Sequence, residues 1–338
     1  MKNDEELSKV LEWYQSNRAI YQSLCKEVKE IIEIDLIDRN AFYNSIDYRT
    51  KEINSFKEKC SKDKYKNPQK EIFDFSGLRI IAYTNSDVEM ICEIIEEIFD
   101  IDYENSVNKL ESIGVDQFGY LSVHYVASLP SNYYKINRYK KFKNYKFEIQ
   151  IRTLLQHAWS EIEHDRNYKF KGALPKELKR RFYMIAGVLE MVDREFEDLT
   201  NDISNYSDSA NISVGEGRLD LELNALSIGA LLMNEFDGIL IEMNIDDEIM
   251  NELKAFGVFT LNDLKKIIID IGGEMVTKII NNNDSVTSIG LLRDLMITSN
   301  LEKYFSIWNN SWGIENEDVK YYKELGIDIS DYMHEYDE

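Results

Sequence analysis

The sequence predicts an α+β chain, with strands and helices alternating over roughly the first 200 residues and helices alone after them. Three observations predict it. Short β-branched runs lie at 78–83, 120–127 and 145–152. Apolar residues elsewhere in the first part recur at helical spacing, and beyond residue 206 there is no convincing run of strands. At 338 residues the chain exceeds the usual span of one compact core, so two domains are expected, 1–205 and an all-helical C-terminal module at 206–338.

Taken in order, residues 5–33 place Leu7, Leu11, Tyr14, Tyr21, Leu24, Val28, Ile31 and Ile32 at the spacing of one or two amphipathic helices. A further helix is expected over 50–60. Phe73-Asp74-Phe75-Ser76-Gly77 then leads into the strand LRIIAY. Helical spacing returns up to Phe99, with Ser86 as its N-cap. The strand at 145–152 alternates Phe147, Ile149 and Ile151 against Glu148, Gln150 and Arg152, so the three polar side chains share a face. Pro175 opens a long amphipathic helix. The small, polar stretch SDSANISVGEG at 206–216 reads as a linker. Beyond it, LKAFGVFTLNDLKKIII reads as two short helices around a glycine turn, with Thr260 capping the second.

Charge is unevenly placed. The net charge is −22, and residues 201–338 hold 9 Lys or Arg against 27 Asp or Glu. Residues 132–182 hold 14 basic and 5 acidic side chains, an excess that suits a polyanionic ligand such as a phosphate chain. The charged start and the lack of an apolar run of about 18 residues predict a cytoplasmic protein without membrane contact. Cys25, Cys60 and Cys92 are widely spaced and predict reduced thiols.

Four constellations can carry chemistry. On a helix, Lys51, Ser55 and Lys59 would fall at i, i+4 and i+8, with Arg49 just ahead, lining up charges and a hydroxyl along a phosphate chain; alone, such a row is more often a solvated face. Asp74 precedes the strand that carries Arg79, where a carboxylate can hold magnesium or merely cap a turn. Gly119-Tyr120-x-Ser122-x-His124 sets an aromatic plate beside two hydrogen-bonding groups, a face suited to a purine. Glu148-x-Gln150-x-Arg152 offers a carboxylate for metal or proton transfer, an amide and a guanidinium. His157, Glu161 and His164 follow at a spacing that matches no common zinc motif.

In this order YRTKEINSFKEK, FDFSGLRII, FGYLSVHY and FEIQIRTLLQHAWSEIEHDRNYK resemble the synthetase domain of RelA/SpoT proteins, specifically the single-domain small alarmone synthetases, over about residues 15–200. The resemblance implies a mixed β-sheet flanked by helices, related to nucleotidyltransferases. It implies transfer of the β,γ-diphosphate of ATP to the ribose 3′-hydroxyl of GDP or GTP. Carried over by motif position, Arg49 and Arg79 would sandwich adenine, and Lys51, Ser55 and Lys59 would hold the ATP phosphates. Asp74 and Glu148 would bind Mg2+, with Glu148 also the base for the 3′-hydroxyl. Tyr120 would stack on the acceptor guanine, and His124, Gln150, Arg152, His157 and Glu163 would line or support the acceptor side. The chain departs from the pattern at Asp116 and Phe118, where many alarmone synthetases carry a lysine and a small polar residue; Lys109 is the candidate to compensate.

Some relatives are toxins that modify the 3′ end of transfer RNA, so tRNA is the alternative acceptor, with KELKRR and the basic stretch in its support. A homo-oligomer is the corresponding family expectation. The C-terminal module is expected to regulate or to bind partners, one route being attraction of its acidic surface to the basic face of the first domain. No His-Asp hydrolase motif is visible, so synthesis without degradation is expected.

Overall fold

A computed structural model of the chain describes residues 4–62, 64–108, 122–169, 175–236, 241–281, 286–308 and 312–332. The chain divides into two compact units, Met1–Leu199 and Thr200–Glu338.

In the first unit the order is α1 (Asp4–Asp38), β1 (Ser45–Thr50), α2 (Ile53–Cys60), α3 (Pro68–Glu71), β2 (Ser76–Ala82), α4 (Asn85–Ile98), β3 (Asp100–Ile101), β4 (Val107–Asn108), β5 (Val123–Ser128), β6 (Phe147–Thr153), α5 (Leu154–Lys169) and α6 (Lys176–Gly215). The sheet is mixed: among the described residues its strands lie in the order β1-β2-β6-β5-β3, with β4 also on β5. β2 and β6 are parallel, while β1 on β2 and β5 on β6 are antiparallel. The parallel pair is central, as a crossover through α4 requires.

Alternation decides which face is covered. Leu78, Ile80 and Ala82 of β2, Val123, Tyr125 and Ala127 of β5, and Phe147, Ile149 and Ile151 of β6 are buried against Leu24, Val28 and Ile32 of α1 and Val88, Ile91 and Ile95 of α4. α4 starts with a capping box of Thr84 and Asp87, so the cap lies two residues before the expected Ser86. The residues of opposite parity on β2 and β6 are left for the site.

A second, aromatic core fixes the loop before β2. Tyr14, Tyr21, Phe56, Cys60, Ile72 and Phe75 are buried together. Phe75 sits edge-on to Trp13 and Phe56 and tilted against Tyr14 and Tyr21, at centroid distances of 4.8–5.7 Å. Such pairs contribute roughly 0.5–1.5 kcal/mol each beyond the area they bury.

Two local expectations are corrected here. Residues 50–60 are not one helix: Arg49 and Thr50 end a strand, Lys51 and Glu52 form the turn, and α2 begins at Ile53. The stretch read as a linker, 206–216, is helical to Gly215, with Ala210 and Val214 buried on one face of α6.

The second unit follows the end of α6 with α7 (Ala225–Glu235), β7 (Ile241–Glu242), α8 (Asp247–Ala255), α9 (Leu261–Ile271), α10 (Gly273–Asn281), β8 (Val286–Thr287), α11 (Ser288–Ser299), α12 (Leu301–Ile307) and α13 (Asn316–Glu324). It is helical as expected, except that β7 and β8 form one short parallel pair. Gly257, at φ +87°, makes the turn between α8 and α9, and Thr260 caps α9 in a capping box with Asp263. Its core gathers Leu231, Leu253, Leu264, Leu292, Leu295 and Tyr304 among others.

Candidate active site

The register of the strands arranges the polar side chains in rows across the open face. Arg49 on β1 lies opposite Gly77 on β2, and Gly77 opposite Glu148 on β6. The next row is Asp47, Arg79, Gln150 and His124, and beyond it Arg152 lies opposite Ile81. Rows two residues apart along a strand are about 7 Å apart. Asp47, Arg49, Asp74, Arg79, Glu148 and Gln150 line one cleft on this face, floored at its centre by Gly77 and Leu78.

One end of the cleft is a clasp around Asp74. Its Oδ2 accepts hydrogen bonds from Lys51 Nζ at 2.6 Å and Lys59 Nζ at 2.9 Å. Oδ1 is buried without a hydrogen-bond partner among the described residues. Burial pushes the Asp74 pKa up, but the two ammonium groups outweigh it and hold the carboxyl below its ordinary range. The turn bearing Lys51 is tied down by Tyr14, whose hydroxyl donates to the Lys51 carbonyl at 2.6 Å, and by the Lys51 N–H donating to Phe75 O at 3.0 Å. Ser55, placed on the same face as the lysines by the expected helix, is exposed on α2 and takes no part in the clasp.

The centre is a hydrogen-bonded chain. Arg152 donates to Gln150 Oε1 at 2.8 Å, and Gln150 Nε2 donates to Glu148 Oε1 at 2.8 Å. His124 Nδ1 lies 3.4 Å from that oxygen, and its Nε2 meets Ser122 Oγ at 2.7 Å. Burial raises the Glu148 pKa, the contacts with His124 and Gln150 lower it further than that, and the charge of Asp74 raises it; the net shift is downward. Glu148 and Asp74 are therefore near enough to interact, and both are ionised at neutral pH.

The other end is crowded with positive charge. β6 passes into α5 without a loop, because Thr153 N–H donates to Gln156 Oε1 at 3.0 Å and Thr153 Oγ1 to Asp193 at 2.7 Å. His157 is thereby set one turn into α5, near Arg152. Burial, then the charges of Arg79 and Arg49, push the Arg152 pKa down to about 10, against the pull of Glu161. His157 is lowered by burial, Arg152 and Arg79. Arg79 Nε, Arg152 Nε and His157 Nδ1 are buried without hydrogen-bond partners among the described residues. Two guanidinium groups held together with unsatisfied nitrogens beside an imidazole are suited to an anionic or polarisable ligand.

The cleft thus brings together Arg49, Lys51, Lys59, Asp74, Arg79, Glu148, Gln150 and Arg152, with His124 and His157 at its margins. Glu163 lies on the exposed side of α5. Tyr120, with Gly119, Asp116, Phe118 and Lys109, lies outside the described residues, as does the side chain of His164. Sequence reasoning missed Asp47, Gly77 and the pairing of Glu161 with Arg79 at 3.2 Å. The parity of β1 places Asp47 with Arg49, but a strand this polar carries no sequence signal from which that parity could be read. Among the described residues, which leave out the side chain of His164, no group of three or more metal-ligating side chains occurs.

Fold and site together define the class: an α+β domain that collects cations around two carboxylates on the uncovered face of a mixed sheet. Residues 48–173 match the sequence profile described as the region found in RelA / SpoT proteins. Over those residues the chain resembles the RelA/SpoT family. It is 26% identical over 133 residues to the GTP pyrophosphokinase YjbM of Bacillus subtilis (strain 168), a match spanning 38% of this chain and 58% of that protein. It is 24% identical over 138 residues to the GTP pyrophosphokinase YwaC of the same strain, spanning 41% and 62%. The crystal structure of small alarmone synthetase 1 from Bacillus subtilis aligns with 57% of this chain and 98% of its own length, at a TM-score of 0.48 and 22% identity. The chain therefore spans about three fifths of the curated relatives it matches. Among the described residues no helix is long and apolar enough to cross a membrane.

Proposed function

We propose that the first unit is a magnesium-dependent pyrophosphokinase that moves the β,γ-diphosphate of ATP onto the 3′-hydroxyl of GDP or GTP, making (p)ppGpp. The observation that carries the reading is the Asp74 clasp: one carboxylate oxygen held by two lysines, the other buried and unsatisfied, with Glu148 nearby. An unsatisfied buried acceptor costs roughly 1–3 kcal/mol. A hard cation that needs only one or two protein carboxylates, as Mg2+ does, fits the orphaned oxygen of Asp74 and the carboxylate of Glu148. When bound, it would neutralise charge on the triphosphate and polarise the phosphorus under attack.

The other roles fall to the chain. Lys51 and Lys59 hold the triphosphate, and Arg49 and Arg79 flank its base. Glu148, with Oε1 fixed by Gln150 and His124, takes the proton of the 3′-hydroxyl. The 3′-oxygen bonds to the β-phosphorus as the bond from that phosphorus to the α,β-bridging oxygen breaks, and AMP leaves with that oxygen. Such transfer depends on positioning and charge neutralisation, and no enzyme nucleophile is needed. The two relatives named GTP pyrophosphokinase support the reading.

A second reading, transfer to the 3′ end of a tRNA, is favoured by one observation. The segment between β5 and β6 exposes Lys135, Lys140 and Lys143 and ends at Lys146, whose ammonium lies 5.1 Å from the ring of Phe73, next to Asp74. Incubation with Mg2+, γ-labelled ATP and, separately, GDP, GTP or bulk tRNA tests both. Label in guanosine tetra- or pentaphosphate is the expected result. Label in RNA alone would establish the second reading, and no label in any lane would overturn both.

A further inference from the structure

Four buried polar side chains meet where β6 passes into α5: Arg152, Thr153, Gln156 and Asp193, each 5% exposed or less. Thr153 and Gln156 make a complete capping box, with Thr153 Oγ1 accepting from the Gln156 N–H at 3.1 Å and the Thr153 N–H donating to Gln156 Oε1 at 3.0 Å. That box starts α5 without help. Packing does not call for Asp193 either, because α6 already rests on α5 through Phe182 against Trp159 at 5.6 Å. Yet α6 brings a buried carboxyl to this spot, and such a group is tolerated only with its hydrogen bonds made. Asp193 Oδ2 accepts from Thr153 Oγ1 at 2.7 Å. One turn on, Glu197 accepts from the Ser86 N–H at 3.0 Å and from the Ser86 hydroxyl, at the start of α4. α4 follows β2 and α5 follows β6, so α6 is tied to the C-terminal ends of both parallel strands, where ligands are ordinarily held in such sheets.

A hydroxyl has one proton to give. With that proton committed to Asp193, Thr153 Oγ1 cannot turn away from the Gln156 N–H, and the passage from strand to helix keeps one geometry. Arg152 directly precedes Thr153 and His157 directly follows Gln156, so this geometry sets how the guanidinium stands to the imidazole. We infer that Asp193 is a positioning residue for the crowded end of the cleft: through the Thr153 hydroxyl it holds Arg152 and His157 in place beside Arg79. What acts is the accepting oxygen of Asp193 and not its charge. On the pyrophosphokinase reading, on which this step rests, the effect falls on the acceptor nucleotide, because the ATP phosphates are assigned to Lys51 and Lys59 at the opposite end.

The test uses the full chain with ATP and GDP, and compares Asp193→Asn, which keeps an acceptor for Thr153 and drops the charge, with Asp193→Ala, which keeps neither. Asp193→Ala is expected to raise the KM for GDP by about tenfold or more, with the KM for ATP within about twofold of wild type, while Asp193→Asn stays within about threefold of wild type for both. Asp193→Leu, which fills the space without accepting, takes the place of the alanine variant if that one does not fold. A second readout needs no turnover. His157 is faced by Asp47 on β1, Arg79 on β2, Arg152 on β6, Glu161 on its own helix and Asp193 on α6, and burial with the two arginines holds its pKa down. Titrated by NMR, that pKa should rise towards its ordinary value in Asp193→Ala, as the imidazole and Arg152 separate, and should stay in Asp193→Asn. Loss of a negative charge alone moves it the other way. Equal weakening for both nucleotides, an asparagine variant as impaired as alanine, or an unmoved His157 overturns the inference. A chain that transfers to no acceptor, but whose His157 moves as stated, refutes the pyrophosphokinase reading and leaves the positioning role standing.

Discussion

Asp74 is shared by two lysines through one oxygen, so its substitution removes both the anchor of the clasp and the oxygen left over for a cation. Asp74→Asn and Glu148→Gln are each expected to lower transfer by at least about a hundredfold, with melting temperatures close to wild type. Either variant retaining near-full activity in the labelled-ATP assay would remove these residues from the proposed chemistry. The pH profile follows from Glu148, whose folded pKa lies below its ordinary value. Its ionised form, and the stability that ionisation contributes, are present above the unfolded pKa and are lost as pH falls through the lower, folded one. His124→Ala removes a contact that lowers this pKa, so the acid limb of kcat should move to higher pH. An unmoved limb would show that His124 does not tune the base.

At the scale of elements, the loop before β2 is held by the aromatic core rather than by the sheet alone. Phe75 is 2% exposed and touches four aromatic rings. Phe75→Ala should cost about 3–5 kcal/mol in denaturant melts and should reduce transfer even where the protein remains folded, because Asp74 is the adjacent residue. In the second unit, Asp294 on α11 accepts from Tyr321 at 2.7 Å and Tyr322 at 2.5 Å, both on α13. Burial pushes its pKa up to about 6, against the two phenols and with a small contribution from Asp318. A carboxyl raised in the folded state lowers stability as pH rises from its unfolded value towards 6, by up to about 3 kcal/mol. Asp294→Asn should flatten that dependence, and an unaltered stability-versus-pH curve would refute the assignment.

The same elements show what could be read from the sequence. β2 and β6 were legible because Leu78, Ile80, Ile149 and Ile151 alternate with groups facing the site. β1 was not: only Ile46 is buried in Ser45–Thr50, and an edge strand so polar has no period to detect. Hence Lys51 and Lys59 were placed on one helix, when in the structure they reach Asp74 from a turn and from α2. The residues of the clasp were legible from motif resemblance, but its geometry was not. The pairing of Arg79 with Glu161 was hidden because it depends on the parallel register of β2 and β6 and on α5 starting without a loop. The 206–215 stretch was hidden by its small polar residues, although Ala210 and Val214, four apart, carried the helical signal.

At the scale of the whole molecule, each unit has its own core. Calorimetry is therefore expected to resolve two transitions, of which ATP with Mg2+ moves one. A ligand at a hundred times its Kd adds about 2.7 kcal/mol to the unit that binds it. A single transition, or a shift of both by the same amount, would show that the units do not unfold independently.

The distribution of indole rings has a practical consequence. Trp13 lies edge-on to Phe75 at 5.7 Å, beneath the Asp74 end of the cleft, and Trp159 packs on Phe182 at 5.6 Å, two residues before Glu161. The remaining two tryptophans, Trp308 and Trp312, belong to the second unit. With those two replaced by phenylalanine, and one of the first pair in turn, the intrinsic fluorescence of the protein becomes a separate optical signal for each end of the cleft. Phosphate chains and cations should change the emission of one fluorophore, and purine rings that of the other, without any attached dye.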